Sequence, residues 1–277
     1  MLVEVGTTNK THLSDYATAL SENTGAILRV NPSNYRIVGF VEAVPVAELV
    51  KLKQRRPVLV IDDLGCGALI DLERFGLPHE PTVPESVAAG ADVVCFSGDK
   101  LIGGPQAGII VGKKDLIEKI RKHPLTRMLR VCKLTEAALQ ATLRLFLHPG
   151  SLLDANPTLR MAAVPLRDLK RKATTMKRRI EEGPGCLEVR VVKAESAMGG
   201  GSMPAVALES VALAVRSGTV PPDRLLALLR RNTPPIIARI KEGDVVLDVR
   251  TLLCGEERSV IEALRRIHGS GPARPEE

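Results

Sequence analysis

The 277-residue sequence has no tryptophan, only two tyrosines and only four phenylalanines. Proteins that grip single-stranded nucleic acid by stacking its bases need aromatic platforms, so this scarcity argues against that class. The core must instead be built from leucine, valine, isoleucine and alanine. The five cysteines, Cys66, Cys95, Cys132, Cys186 and Cys254, include no CxxC pair. Their scatter argues against a zinc site or a disulfide framework and fits a reducing, cytoplasmic setting. The histidines His12, His79, His123, His148 and His268 show no metal-ligand spacing, so no metal is expected. No apolar run is long enough to cross a bilayer, no secretory leader is recognisable, and no internal repeat is visible.

What is abundant is positive charge in one place. The net charge is +7, but 17 Lys and Arg stand against 5 Asp and Glu between Lys113 and Arg179, a local +12 that leaves −5 for the rest. A basic middle section suits an anionic partner, nucleic acid or phosphate; solvated helix faces explain it as well from charge alone.

Short apolar runs alternate with helical patterns along the first half. Met1–Gly6, Ala26–Val30, Pro57–Ile61, Asp92–Phe96 and Gly108–Gly112 read as strands. Thr11 or Ser14 is placed to cap a helix with Leu13, Tyr16, Ala17 and Leu20 on one face. Pro45–Gln54, Thr82–Ala89, Lys113–Lys122 and Lys133–Leu147 also read as helices. This alternation predicts an α/β fold on a mainly parallel sheet, in which ligands bind beyond the C-terminal ends of the strands. His148-Pro149-Gly150 marks a boundary, giving a first domain over 1–150. A small α+β domain is expected over 151–268, with helices at Thr158–Arg179, Pro222–Arg231 and Glu256–His268. Its strands are Glu188–Val192, Ala205–Val215 and a hairpin turned at Glu242-Gly243. Residues 269–277 read as a disordered polar tail.

The most informative stretch is Ser97-Gly98-Asp99-Lys100-Leu101-Ile102-Gly103-Gly104-Pro105-Gln106-Ala107-Gly108, set between two apolar strands. Lys100 is its only cation. A lysine held against apolar strands loses solvation, and its neutral amine becomes accessible, as covalent catalysis by an amine requires. Two aspartates, Asp62 and Asp63, end the preceding strand and run into Leu64-Gly65-Cys66-Gly67. Arg127 and Arg130 lie three apart; on a helix they share a face and can clamp an anion.

Ser-x-x-Lys before Gly-Gly resembles the cofactor loop of fold-type I pyridoxal-phosphate enzymes, and the full string resembles the bacterial selenocysteine synthases, the L-seryl-tRNA(Sec) selenium transferases. Glu4-Val5-Gly6-Thr7-Thr8-Asn9, Ser33-Asn34-Tyr35-Arg36-Ile37, Asp63-Leu64-Gly65-Cys66-Gly67 and Pro124-Leu125-Thr126-Arg127 through Arg130 carry the same likeness in order. The resemblance implies a fold-type I architecture. It implies that Lys100 holds pyridoxal 5′-phosphate, that Ser97 binds its phosphate, and that Asp63 or Asp62 meets the pyridine nitrogen. Asn34 is implied to approach the ring, and Arg127 and Arg130 to hold the selenium donor; Asp99, directly before Lys100, is placed to tune or orient it or simply to cap the loop. Gly199-Gly200-Gly201-Ser202-Met203-Pro204 matches a glycine-rich loop of the family without a chemical role.

The implied reaction converts seryl-tRNA(Sec) to selenocysteinyl-tRNA(Sec) through an aminoacrylyl-tRNA, with selenophosphate as donor, in a cytoplasmic homo-oligomer built from dimers and extending to larger rings. The family's N-terminal tRNA-binding domain and the start of its large domain have no counterpart here, so the chain is expected to be the C-terminal portion. Two other readings stay open: a pyridoxal-phosphate lyase or transferase acting on a small amino acid, and a non-catalytic fragment that oligomerises or binds RNA.

Overall fold

A computed structural model describes residues 1–7, 9–183, 187–199, 202–203 and 206–269. Gly200, Gly201 and Pro204 of the glycine-rich loop, Cys186, the start of the strand expected from Ala205, and 270–277 of the tail lie outside the described residues. The chain forms two compact units, one from Met1–Leu159 with Met198–Val206 and one from Arg160–Ala197 with the residues from Ala207 onward.

In the first unit, α1 (Leu13–Ala19), β1 (Ala26–Val30), α2 (Val46–Lys51), β2 (Leu59–Gly65), α3 (Val83–Ala88), β3 (Val93–Ser97) and β4 (Gly108–Gly112) follow in order. Then come α4 (Lys114–Lys122), α5 (Thr126–Leu129), α6 (Lys133–Leu145) and α7 (Leu152–Ala155); α8 (Pro157–Ala163) contains the division between units. The stretch past Gly150 stays with the first unit because Asn156 Nδ2 donates to the Ile102 carbonyl at 3.0 Å and Asn156 Oδ1 accepts from Leu159 N–H at 3.1 Å.

β1, β2 and β3 run parallel, and β4 returns antiparallel to β3. The expected α/β class is what forms. In β2 the side chains alternate, so Val60, Asp62 and Leu64 are buried while Ile61 and Asp63 are only partly covered. Leu49 and Leu52, from α2 and the turn after it, join Val83 of α3 in the core built around Val60, Leu64 and Val94. Each such leucine contributes roughly 1.5–3 kcal/mol of burial. At the other end of the sheet, Asp92 accepts from Lys53 at 2.6 Å, Lys113 at 2.7 Å and Val60 N–H at 2.7 Å. Burial alone would raise its carboxyl; the lysines and the amide outweigh that and hold it below the ordinary carboxylate range.

Two expectations are corrected here. Met1–Gly6 forms no strand: Met1, Leu2 and Val3 are exposed, and Thr7 turns back so that its N–H and Oγ1 both donate to Lys10 O at 2.8 Å. Apolar character cannot make a strand without a neighbour to take its hydrogen bonds. The cap of α1 is His12, whose N–H donates to Asp15 at 2.8 Å, and neither Thr11 nor Ser14.

In the second unit α9 (Leu166–Glu181), β5 (Leu187–Ala197), β6 (Ala207–Ser217), α10 (Pro222–Arg230), β7 (Arg239–Lys241), β8 (Asp244–Asp248) and α11 (Glu256–Gly269) make an antiparallel sheet in the order β5-β6-β8-β7. Leu169, Ala173, Met176 and Ile180 of α9 recur at helical spacing and fill the core with Val211, Leu213, Val245 and Leu247. The helix expected over Thr158–Arg179 is two helices, broken at Pro165, which is extended (φ −63, ψ 142). Proline lacks the N–H a continuing helix needs and disfavours a helical residue before it. The hairpin turns at Glu242-Gly243, both at positive φ, 53 and 80.

Candidate active site

Because β1, β2 and β3 are parallel, the loops leaving their C-terminal ends emerge at one edge of the sheet. They carry Asn31-Pro32-Ser33, Gly65-Cys66-Gly67 and Gly98-Asp99-Lys100. The Lys100 loop is tightly closed. Gly98 N–H donates to Ala107 O, Gly104 N–H to Gly98 O and Gly103 N–H to Lys100 O, each at 2.9 Å. Leu101 and Ile102 sink into the core, 2% and 0% exposed. Burial of these two side chains anchors the loop and leaves Lys100 half-buried at its surface.

Lys100 Nζ donates to Ser33 Oγ at 2.6 Å. No carboxylate pairs with it among the described residues, so the amine is held by a neutral hydroxyl. Gly65 makes this approach possible. It sits at φ +64, and a Cβ there would stand 2.8 Å from Ser33 Cβ, 2.9 Å from Ser33 Oγ and 3.1 Å from Asn31 O. Any larger residue would be strained and would drive Ser33 away.

The two aspartates part company. Asp62 is fully buried; its Oδ1 accepts from Arg29 at 2.7 Å and its Oδ2 from Ser86 Oγ at 2.6 Å. Both oxygens are occupied. Asp63 points to the opposite face of β2, and its Oδ1 accepts only the Gly65 N–H at 3.1 Å. Its Oδ2 has no protein partner among the described residues. Asp63 stands opposite Cys95 in the parallel ladder, and burial followed by the two aspartate charges raises the Cys95 thiol.

The remaining expected residues are more scattered. Ser97 ends β3, partly covered and, among the described residues, without a hydrogen-bond partner for its hydroxyl. Asp99 and Asn34 are exposed, and neither bonds to Lys100; Ser33, one residue before Asn34, does. Arg127 lies in α5, while Arg130 is its C-terminal cap in extended conformation. Both arginines are exposed and, among the described residues, neither forms an ion pair or bonds to the Lys100 loop.

Three neighbours were not singled out from the sequence. Cys66 Sγ donates to Glu80 Oε1 at 2.8 Å, and Asn31 Nδ2 donates to the same oxygen at 3.4 Å. Cys66 occupied the variable place in Asp-Leu-Gly-x-Gly, and Glu80 lies in a loop with no pattern of its own. Away from the site, Asp71, Glu73 and His79 bring one ligand atom each within 4.8 Å of one another, a grouping common among surface acids.

The family model described as SelA, L-seryl-tRNA selenium transferase, matches residues 1–253. The chain belongs to this family. Among SelA relatives, the L-seryl-tRNA(Sec) selenium transferase of Alkaliphilus metalliredigens (strain QYMF) is 46% identical over 266 residues, covering 96% of this chain and 57% of that protein. That of Haemophilus influenzae (strain ATCC 51907 / DSM 11121 / KW20 / Rd) is 47% identical over 253 residues, covering 91% and 55%. The chain therefore spans a little over half the length of the curated SelA proteins it matches. The solved structure of D-glucosaminate-6-phosphate ammonia-lyase is similar at a TM-score of 0.57 and 23% identity, over 96% of this chain and 63% of that one. The shared architecture is the fold-type I α/β arrangement.

Proposed function

We propose that this chain supplies the lysine-bearing part of an L-seryl-tRNA(Sec) selenium transferase that replaces the serine hydroxyl of seryl-tRNA(Sec) with selenium from selenophosphate. The single observation that carries this reading is the Lys100 amine, held at the C-terminal edge of a parallel sheet by the Ser33 hydroxyl alone. The family relation supports the choice of substrate, and the position of the Lys100 amine at this edge supports its role.

The residues present fit pyridoxal phosphate. Lys100 is the amine that would hold its carbonyl carbon. Asp63 offers an uncommitted carboxylate oxygen for a ring nitrogen, whereas Asp62 is consumed by Arg29 and Ser86. Ser97 offers its hydroxyl for phosphate. Bound there, the cofactor supplies an electron sink that acidifies an attached amino acid at Cα and lets its β-hydroxyl leave.

The chain's own contribution is to move one proton and hold one anion. Lys100 Nζ is the base that would accept the Cα proton, with Ser33 Oγ fixing where the nitrogen stands. Asn34 lines the same edge, while Asp99, exposed and not bonded to Lys100, makes no contact among the described residues that would orient that amine. Arg127 and Arg130, without carboxylate partners among the described residues, hold the anionic selenium donor. The reading extends to a homo-oligomer built on dimers and to a reducing cytoplasm, where the four free thiols among the described residues would persist.

The test is direct. The chain is incubated with pyridoxal phosphate, reduced with borohydride and digested. A label on the Lys100 peptide is expected; a label elsewhere, or none on a folded chain, sinks the reading. A second prediction concerns the arginines. Replacing both, Arg127→Ala with Arg130→Ala, raises KM for selenophosphate by roughly tenfold or more, the worth of a charge-assisted contact. Cofactor attachment stays unchanged. Equal loss of both functions means the pair is structural.

A further inference from the structure

The proposed chemistry gives no role to three side chains beside Lys100, those of Asn31, Cys66 and Glu80. Cys66 is 0% exposed, yet its thiol is not idle. It donates to Glu80 Oε1 at 2.8 Å, and Asn31 Nδ2 reaches the same oxygen at 3.4 Å. One carboxylate thus ties the loop leaving β1 to the loop leaving β2. Between them there is no slack, because Asn31 O and the Ser33 side chain crowd the bare α-carbon of Gly65. The backbone repeats the tie, with Asn31 N–H donating to Asp63 O at 2.7 Å. Two residues beyond Asn31 stands Ser33, the partner of Lys100.

We propose that Glu80 is a positioning residue of the Lys100 site: by gathering Asn31 and Cys66 onto one oxygen, it locks the two loops together and fixes the Ser33 hydroxyl against Lys100 Nζ. The proposal rests on the reading of Lys100 given above. A carboxylate suits this role because it only accepts, and both groups converging on it are donors. The charged groups facing Cys66 are Glu80 and Lys100. Burial, then the Glu80 hydrogen bond and its charge, push the thiol up to about 12, with Lys100 acting weakly the other way. A thiol kept protonated remains a donor to Glu80 and is no competing nucleophile next to the catalytic amine.

Two measurements test this. The first needs no cofactor: iodoacetamide alkylation of Cys66, followed by peptide mapping across pH. In the unmodified chain the rate is still climbing at the highest pH at which the fold survives. Glu80→Gln keeps an acceptor oxygen but removes the charge, so the midpoint falls and the rate levels off within the pH range the fold survives. A residue that merely fills space would change access, raising the rate at every pH with the midpoint unmoved.

The second measurement is the rate of borohydride-trapped pyridoxal phosphate attachment at Lys100. Glu80→Ala, which removes the shared acceptor, and Ser33→Ala each slow it by about tenfold, and the double variant is no slower than the slower single, because both act on one contact. Additive losses, an unchanged attachment rate in Glu80→Ala, or an unchanged midpoint in Glu80→Gln, overturn the proposal. If the unmodified chain takes no label on Lys100, the reading of Lys100 fails. The alkylation midpoint then still decides whether Glu80 commands Cys66.

Discussion

Replacing Lys100 with alanine abolishes the borohydride-stable adduct with pyridoxal phosphate and leaves the chain folded. The two halves of this result have separate causes. The adduct is lost because a covalent bond to a carbonyl carbon needs an amine, and no other lysine stands in the described loops at this edge of β1, β2 and β3. The fold persists because the side chain makes one bond, to Ser33 Oγ at 2.6 Å, and that bond is partly exposed; its loss costs about 0.5–1.5 kcal/mol. The loop is held by Leu101, Ile102 and its backbone bonds instead. Lys100→Arg sharpens the experiment. It retains the charge and reach but not the nucleophile, so it must fail as completely as alanine. Mass spectrometry of the reduced protein and a denaturant titration check the two halves. An adduct surviving in Lys100→Ala would remove the lysine from its assigned role.

Asp62→Ala and Asp63→Ala have opposite consequences. Removing Asp62 strands the Arg29 guanidinium, 18% exposed, and leaves the buried Ser86 hydroxyl without its acceptor. Breaking one partner of a buried pair costs about 3–5 kcal/mol, a large part of the roughly 5–15 kcal/mol that holds a domain together. Asp63 loses a single bond from Gly65 N–H, so Asp63→Ala costs roughly 1 kcal/mol while weakening cofactor retention at least about tenfold. Urea unfolding midpoints and pyridoxal phosphate release rates, measured on both variants, decide between them. If Asp63→Ala unfolds the chain and Asp62→Ala releases the cofactor, the assignment reverses.

This pair also shows where sequence stops being informative. That an aspartate stands at the end of β2 was legible, since a continuous apolar run ended in Asp62-Asp63. Which one keeps an uncommitted oxygen was not. The choice depends on which side of the strand α2 and α3 cover, and both faces of a parallel strand carry apolar residues. The Lys100 loop was legible because its apolar flanks, glycines and lone cation lie within one short string. Ser33, Cys66 and Glu80 come from three loops; the parallel register of β1 on β2 sets the first two side by side, and the Ala68–Thr82 bridge returns the segment carrying the third. Proline at 165 was in plain view, yet helix-prone runs on both sides, strongly basic only after it, masked the break it makes. The Met1–Gly6 stretch misled for the opposite reason, being apolar in sequence with no ladder to join.

The hydroxyl that holds Lys100 sets a clock for the site. The loop around the lysine is pinned through Gly98, Gly103 and Gly104, so the amine does not depend on a moving segment to be presented. Trading Ser33 for another partner requires only rotation about the lysine's own side-chain bonds. Such rotations take picoseconds to nanoseconds, whereas loop or domain closure takes microseconds to milliseconds. In the role proposed for Lys100, its encounter with a carbonyl is therefore paced by arrival of that molecule and by the bond-making step, with no conformational wait at the lysine itself.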